Sequence, residues 1–178
     1  MKRHLLTAGI ALAIAACGTS TAKEPVTPSV HAANEVAAGE YLTTVAGCND
    51  CHTMGWMERG AAVPVQDRLT GMPIGWRGPW GTSYPANLRL TAANMTANQW
   101  VTMTRARNGN PPMPWMNLHA MSDQDLRAIY AYLRSLGAKG EPVPTFVPPG
   151  EEPNTPFLLL VPQGPGMAIP TSTSRAVN

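Results

Sequence analysis

The stretch that decides how this chain is interpreted is Cys48-Asn49-Asp50-Cys51-His52. Two thiols three positions apart, followed at once by an imidazole, are typical of a site where haem c is attached. Each thiol adds across one vinyl group of the haem, and the adjoining histidine can then give its Nε2 to the iron. Its Nδ1–H is left to donate to a neighbouring acceptor that fixes the ring. The motif therefore predicts one covalent haem c on Cys48, Cys51 and His52.

Two other interpretations of the motif, half of a zinc site and a redox dithiol, have less support in the rest of the chain. A zinc site needs a second pair of Cys or His ligands, but past residue 16 only Cys17, His31 and His119 remain. A redox dithiol usually accompanies a βαβ pattern, which is not visible here. Haem attachment, with electron transfer as its consequence, is the favoured interpretation.

The first sixteen residues predict a signal peptide. A positive start at residues 2–4 is followed by an apolar run over residues 5–16, which is too short to span a membrane. We therefore expect export, and we exclude this segment from the folded domain.

The end of that run, Ile14-Ala15-Ala16-Cys17-Gly18, resembles the lipobox of bacterial lipoproteins. In that family the signal is cleaved before the cysteine, which then carries lipid. The alternative is an ordinary signal peptide cleaved near Ala22 or Ala33. We expect a periplasmic protein anchored to a bacterial membrane through lipid on Cys17, with no cysteine left for a disulfide.

The charge balance indicates little about partners. Loss of Lys2 and Arg3 leaves 11 of the 13 basic residues against 11 acidic ones, so the mature chain is formally neutral. No basic stripe indicates nucleic acid. Membrane association is expected from lipid rather than from a charged surface.

Composition divides the chain beyond the signal peptide into three parts. Residues 17–34 are small and polar and predict a flexible tether. Residues 35–138 predict a folded domain. Residues 139–178 hold half of the 18 prolines and predict an extended or irregular arm. Within it, Phe157 to Val161 is too apolar for a free tail, so we expect it to pack on its own domain or on a partner.

Three helices are predicted in the domain. The first covers residues 35–45, and Gly39 in its middle predicts a close crossing by another helix, since glycine costs about 1 kcal/mol there against alanine. A second covers residues 91–106, with Thr96 as a possible cap. The last begins at the N-cap Ser122 and ends at Gly137.

Two segments between these helices predict loops. Residues 52–88 are rich in Gly, Pro and Trp, and we expect a long loop there that wraps a cofactor. Residues 108–115 contain three prolines, which prevent a continued helix. Met113 lies in this second loop between Pro112 and Pro114, 61 positions after His52.

The combination of Cys48–His52, Gly78-Pro79, Met113-Pro114 and a last helix with Ala131-Tyr132-Leu133 resembles class I (monohaem) cytochrome c, here of bacterial lipoprotein type. The resemblance covers about residues 35–138. It implies an all-α, cytochrome c-like helical fold around a covalently bound haem, with the Pro-rich C-terminal extension irregular.

The resemblance also implies roles for single residues. Cys48 and Cys51 would form the thioethers, and His52 and Met113 would be the two iron ligands. Pro79 would offer its carbonyl to His52, and Gly39 would meet Tyr132 or Tyr130. Arg77 and Trp80 would lie at the haem edge or its propionates, although Arg77 as a solvated loop charge remains open. The alternatives to Met113 are Met116, Met72 and His119, the last giving a bis-histidine haem.

The function that follows is single-electron transfer between a redox protein donor and an acceptor, without a small-molecule substrate and without catalysis of its own. One alternative is a haem-bearing subunit of a membrane-associated dehydrogenase or oxidase complex. Another is a haem enzyme or gas sensor with a vacant iron position.

Overall fold

The computed structural model describes residues 29–162 and residue 164. The predicted signal peptide, Cys17 and the tether up to residue 28 lie outside these residues. The described part contains a single three-stranded sheet, in the order β2-β1-β3. The helices are α1 (Glu35–Val45), α2 (Cys48–His52), α3 (Trp56–Arg59), α4 (Leu88–Ala93), α5 (Ala97–Ala106), α6 (Trp115–Ala120) and α7 (Asp123–Leu136), and the strands are β1 (Gly75–Gly78), β2 (Gly81–Ser83) and β3 (Phe157–Leu159).

The domain is organised around the crossing of α1 and α7, which is the most extensive helix contact. Gly39 lies at this crossing. A Cβ at Gly39 would be only 2.0 Å from the carbonyl oxygen of Ala128 and 2.7 Å from the Cβ of Tyr132. The predicted close crossing is confirmed, and Tyr132 rather than Tyr130 is the tyrosine against Gly39.

Helix α7 begins and ends where the sequence predicts. The Ser122 side chain accepts from the backbone N–H of Asp125, and Gly137 follows the last turn. Its buried face carries Leu126, Ile129 and Leu133, all at most 2% exposed. Burial of such a side chain contributes about 1.5–3 kcal/mol, so this face holds α1, α4 and α5 together.

The predicted helix over residues 91–106 is two helices. Thr96 does cap a helix, as predicted, but it caps α5 in the middle of the predicted span. Its side chain accepts from the Gln99 N–H, and the Gln99 side chain accepts from the Thr96 N–H. Because this reciprocal capping box starts a new helix, α4 ends before it and is capped separately by Asn87.

The prediction of an irregular loop over residues 52–88 is wrong. The segment contains α3, two single 3-10 turns and the antiparallel hairpin of β1 and β2. The strands are only three or four residues long, too short for an alternating pattern to be recognised against Gly and Pro.

The arm is also more regular than predicted, because β3 pairs in parallel with β1. The predicted packing of Phe157 to Val161 on its own domain is therefore made through backbone pairing. The side chains of Phe157, Leu158 and Leu159 nevertheless remain 37–50% exposed. The last residues of the predicted tether also contact the domain, since the Val30 N–H donates to Asp125 Oδ1 at 2.8 Å.

Candidate haem-binding site

The motif Cys48–His52 forms the short helix α2, directly after α1. Gly47 joins the two helices with φ 70°, a conformation that favours glycine. Residues three apart share one face of a helix, so Cys48 and Cys51 lie on the same side. Both cysteines are half-buried free thiols.

His52 is held at two points. Its ring Nδ1 lies 2.7 Å from the carbonyl oxygen of Ala86, and its own carbonyl accepts from the Gly71 N–H at 2.8 Å. A carbonyl only accepts, so Nδ1 carries the proton and the Nε2 lone pair is available to a metal. This is the ring orientation that iron ligation needs.

The prediction that Pro79 supplies the acceptor for His52 is wrong. Gly78 and Pro79 lie at the hairpin turn, where Gly78 pairs with Gly81 and the Trp80 ring fills the space of a Gly78 side chain. The segment Pro85-Ala86 instead runs beside residues 70–72, where the Met72 N–H donates to the Pro85 carbonyl. Ala86 carried no sequence signal, because its contribution is a backbone oxygen.

A buried side-chain network lies beside the motif. The Thr53 hydroxyl donates to Asn49 Oδ1 and accepts from the Leu69 N–H, each at 2.8 Å. The Asn49 amide donates to the Thr43 carbonyl at 3.4 Å. Asn49, Thr53 and Thr43 are all at most 2% exposed, so this network ties α1, α2 and the following chain together.

Burial sets the protonation of the motif. Desolvation raises the pKa of the Cys48 thiol to about 11 and also raises the pKa of Cys51. Burial lowers the pKa of His52, against the hydrogen bond to Ala86. At neutral pH the side chains are therefore two protonated thiols and a neutral imidazole, the forms present before thioether formation and iron binding.

Met113 lies half-buried at the end of an exposed loop that precedes α6. This loop is tied to the hairpin, because the Ser83 hydroxyl donates to the Pro111 carbonyl at 2.6 Å. Of the alternatives to Met113, Met116 is 71% exposed and Met72 is buried beside the segment that supports His52. His119 Nε2 lies 3.0 Å from the Arg107 carbonyl.

The side chain of Arg77 is bonded to the arm. Its guanidinium donates to the Glu151 carbonyl at 3.0 Å and to Glu152 Oε1 at 2.8 Å, and it stacks on the Phe157 ring at 5.2 Å. The Trp80 ring packs on the hairpin backbone at Gly78.

The donor set fits a haem better than a simple metal ion. No group of three or more His, Cys, Asp or Glu side chains could hold a metal ion in the described part. Four buried indole N–H groups there have no acceptor, namely those of Trp76, Trp80, Trp100 and Trp115. Each such group costs about 1–3 kcal/mol when unsatisfied, and haem propionates would bring acceptor oxygens.

A scan against protein-family models matches residues 36–137 to the Cytochrome c family. The chain belongs to the cytochrome c family. No curated protein and no solved structure matches it. Among the described residues no helix is long and apolar enough to cross a membrane.

Membership fixes the cofactor and the class of function. This cytochrome carries one covalent haem c. Its helix-rich domain has the cytochrome c-like fold. Haem-based electron transfer is the function of the family, whose members are generally electron carriers rather than enzymes.

Proposed function

We propose that this cytochrome moves single electrons between redox proteins through a haem whose iron is ligated by His52 and Met113. The observation that carries the proposal is the Nδ1 contact of His52 with the Ala86 carbonyl, which leaves Nε2 to ligate. Bound haem supplies the one-electron change between ferric and ferrous iron. The residues of the chain would position these two ligands for the haem.

The contacts of the alternative ligands favour Met113 for the second position. In its contact with the Arg107 carbonyl, His119 Nε2 must donate, so that nitrogen is not available to iron. Met116 is mostly in solvent, and Met72 belongs to the chain that supports His52. Met113 is half-buried between Pro112 and Pro114, which restrict the backbone and reduce the entropy lost on ligation.

A thioether ligand opposite histidine raises the potential relative to a second imidazole. If His52 and Met113 both ligated the iron, they would leave no iron position open to a small-molecule substrate. The partners are therefore a redox protein donor and an acceptor.

Absorption spectra of the holo-protein test the ligation. Met113→Ala should keep the covalent haem, lose the sulfur-to-iron charge-transfer band at the red end of the visible spectrum, and gain CO binding in the ferrous form. The matched control is Met116→Ala, which should keep the wild-type spectrum. Retention of the band in Met113→Ala, with its loss in Met116→Ala, would reject Met113 as the ligand. A bis-histidine spectrum of the wild-type protein would reject it as well.

We further propose export and anchoring through lipid on Cys17. The support is the sequence of residues 1–18 alone, and stable membrane residence needs two or more acyl chains. In whole cells, Cys17→Ser should abolish acyl labelling and release the protein from the membrane fraction with its haem content unchanged. A wild-type N-terminus at residue 23 or 34 would show an ordinary signal peptide instead.

A further inference from the structure

The first stretch of the arm, residues 139–143, lies over the chain segments that hold His52. These segments are residues 70–72, whose Gly71 N–H donates to the His52 carbonyl, and residues 85–87, whose Ala86 carbonyl accepts from the His52 ring. The family match ends at residue 137. The contact is therefore made by a part of this chain outside the matched domain.

Asn87 links the arm to these segments. Its Oδ1 accepts from the Leu90 N–H at 3.0 Å and so caps α4. Its Nδ2 donates to the carbonyls of Lys139 and Glu141 at 2.8 and 3.3 Å. The side chain is 4% exposed, and it directly follows the residue whose carbonyl orients His52. One side chain thus connects the arm to the residue next to Ala86.

Gly71 is the second point of contact. A Cβ at Gly71 would lie 2.7 Å from Val143 Cγ1 and 2.8 Å from both the Asn87 nitrogen and the Pro85 carbonyl oxygen. Three segments therefore meet where no side chain fits. Because the Gly71 N–H also bonds the His52 carbonyl at 2.8 Å, the Val143 side chain packs directly behind the backbone that holds the histidine.

We propose that residues 139–143, through Asn87 and Val143, are positioning residues for the proximal ligand and set the strength of the His52 Nδ1–H···O=C bond to Ala86. The proposal rests on ligation of iron by His52. A hydrogen bond from Nδ1–H makes a histidine ligand more basic, which favours ferric iron. Loosening the arm therefore weakens this bond and raises the reduction potential.

The main test compares Asn87→Ser with Asn34→Ser in the full-length ferric holo-protein. Serine keeps the N-cap oxygen at both positions, but at residue 87 it removes the amide donors to the arm. Asn34 caps α1 in the same way, through the Ala37 N–H, and has no contact with the arm in the described structure. In Asn87→Ser, the paramagnetically shifted His52 Nδ1–H should exchange with water faster by about fivefold, as expected when one hydrogen bond is weakened, and the potential should rise. Asn34→Ser should change neither.

A second pair of variants tests the proposal if Asn87→Ser does not fold. Val143 and Val147 are both half-buried residues of the arm, but Val147 pairs by its backbone with Thr82 on the hairpin. Val143→Ala should speed the exchange of the His52 Nδ1–H and raise the potential, whereas Val147→Ala should do neither.

The outcomes separate this inference from the ligation on which it rests. A wild-type spectrum without a shifted His52 ring N–H would overturn the ligation and the inference with it. A shifted signal whose exchange and potential stay at wild-type values in both Asn87→Ser and Val143→Ala would overturn the inference alone, and the arm would then serve only the stability of the fold.

Discussion

The chain around His52 and the loop around Met113 are built in contrasting ways. His52 is 7% exposed, and its ring and backbone are bonded to two other segments. Residues 107–112 are exposed, and this loop is tied to the hairpin through Ser83 and Pro111. The proposed ligand His52 is thus fixed by buried hydrogen bonds, whereas the proposed ligand Met113 lies in an exposed, proline-flanked chain.

This contrast assigns different roles to the two sides. The side of His52 is formed by the fold itself, so it can present the thiols and the imidazole before the haem is attached. The loop before Met113 is exposed to solvent, so we expect the proposed sulfur ligand to be lost first when the protein is stressed. Substitutions on the two sides should accordingly differ in which property they change.

The largest effect is expected at the crossing of α1 and α7, because α1 leads directly into the motif. Gly39→Ala places a methyl group 2.0 Å from the Ala128 carbonyl oxygen. Because this obstructing atom belongs to the backbone, the cost should lie at the upper end of the about 1–3 kcal/mol that is typical of overpacking. Urea unfolding of the holo-protein should show this loss or a failure to fold. The exposed neighbour substitution Glu40→Ala should stay within about 0.5 kcal/mol of wild type. A wild-type midpoint for Gly39→Ala would mean that the helices do not cross this closely.

Thr53→Val tests the network on the His52 side. It leaves Asn49 Oδ1 and the Leu69 N–H buried without their bonds to the hydroxyl, which should lower the free energy of unfolding by about 2 kcal/mol. Thr44→Val is the matched change at an exposed site on α1 and should cost less than about 1 kcal/mol. Equal losses for the two variants would contradict the importance of this network.

Ser83→Ala tests the other side. Loss of its bond to the Pro111 carbonyl should cost about 1 kcal/mol or less in unfolding, because the site is exposed. Its clearer effect should be on the iron: CO should displace the sixth ligand of the ferrous protein more readily than in wild type or in Thr53→Val. If Thr53→Val increases CO binding more than Ser83→Ala does, the proposed division between the two sides is wrong.

Arg77→Ala should have the smallest effect. Its ion pair is with Glu152, whose side chain is 78% exposed, and such surface pairs contribute about 0–1 kcal/mol. Since the guanidinium is bonded to the arm, the reduction potential should stay at the wild-type value. Voltammetry of Arg77→Ala and Glu152→Ala checks this, and a changed potential in Arg77→Ala alone would restore the predicted role near the haem.

The features that could be predicted from the sequence are those that depend on the identity of particular side chains. Four features depend on particular side chains or on the lack of one. They are the haem motif, the cap at Ser122, the end of α7 at Gly137 and the crossing at Gly39. They are also local, or need only one partner helix. The family match confirms a covalent haem c, and the geometry confirms the cap, the end of α7 and the crossing. The haem-attachment residues themselves stay a prediction.

The features that were missed depend on the path of the backbone. The acceptor for His52 is a carbonyl, which every residue possesses, so nothing in the sequence distinguishes Ala86 from Pro79. The partners of Arg77 were not predicted because they lie more than 70 positions away in the arm. The strand β3 forms by pairing with β1. The composition of the arm does not reveal this partner.

The central claim is that one methionine, Met113, completes the iron site that His52 begins. Methyl-selective NMR of the ferrous holo-protein, with all methionine methyl groups labelled, tests it most directly, because the ring current of the haem strongly shields a methyl group bonded through sulfur to the iron. We predict one such signal in wild type, absent from Met113→Ala and unchanged in Met72→Ala and Met116→Ala. A shielded signal that persists in Met113→Ala, or its absence from wild type, would contradict the account.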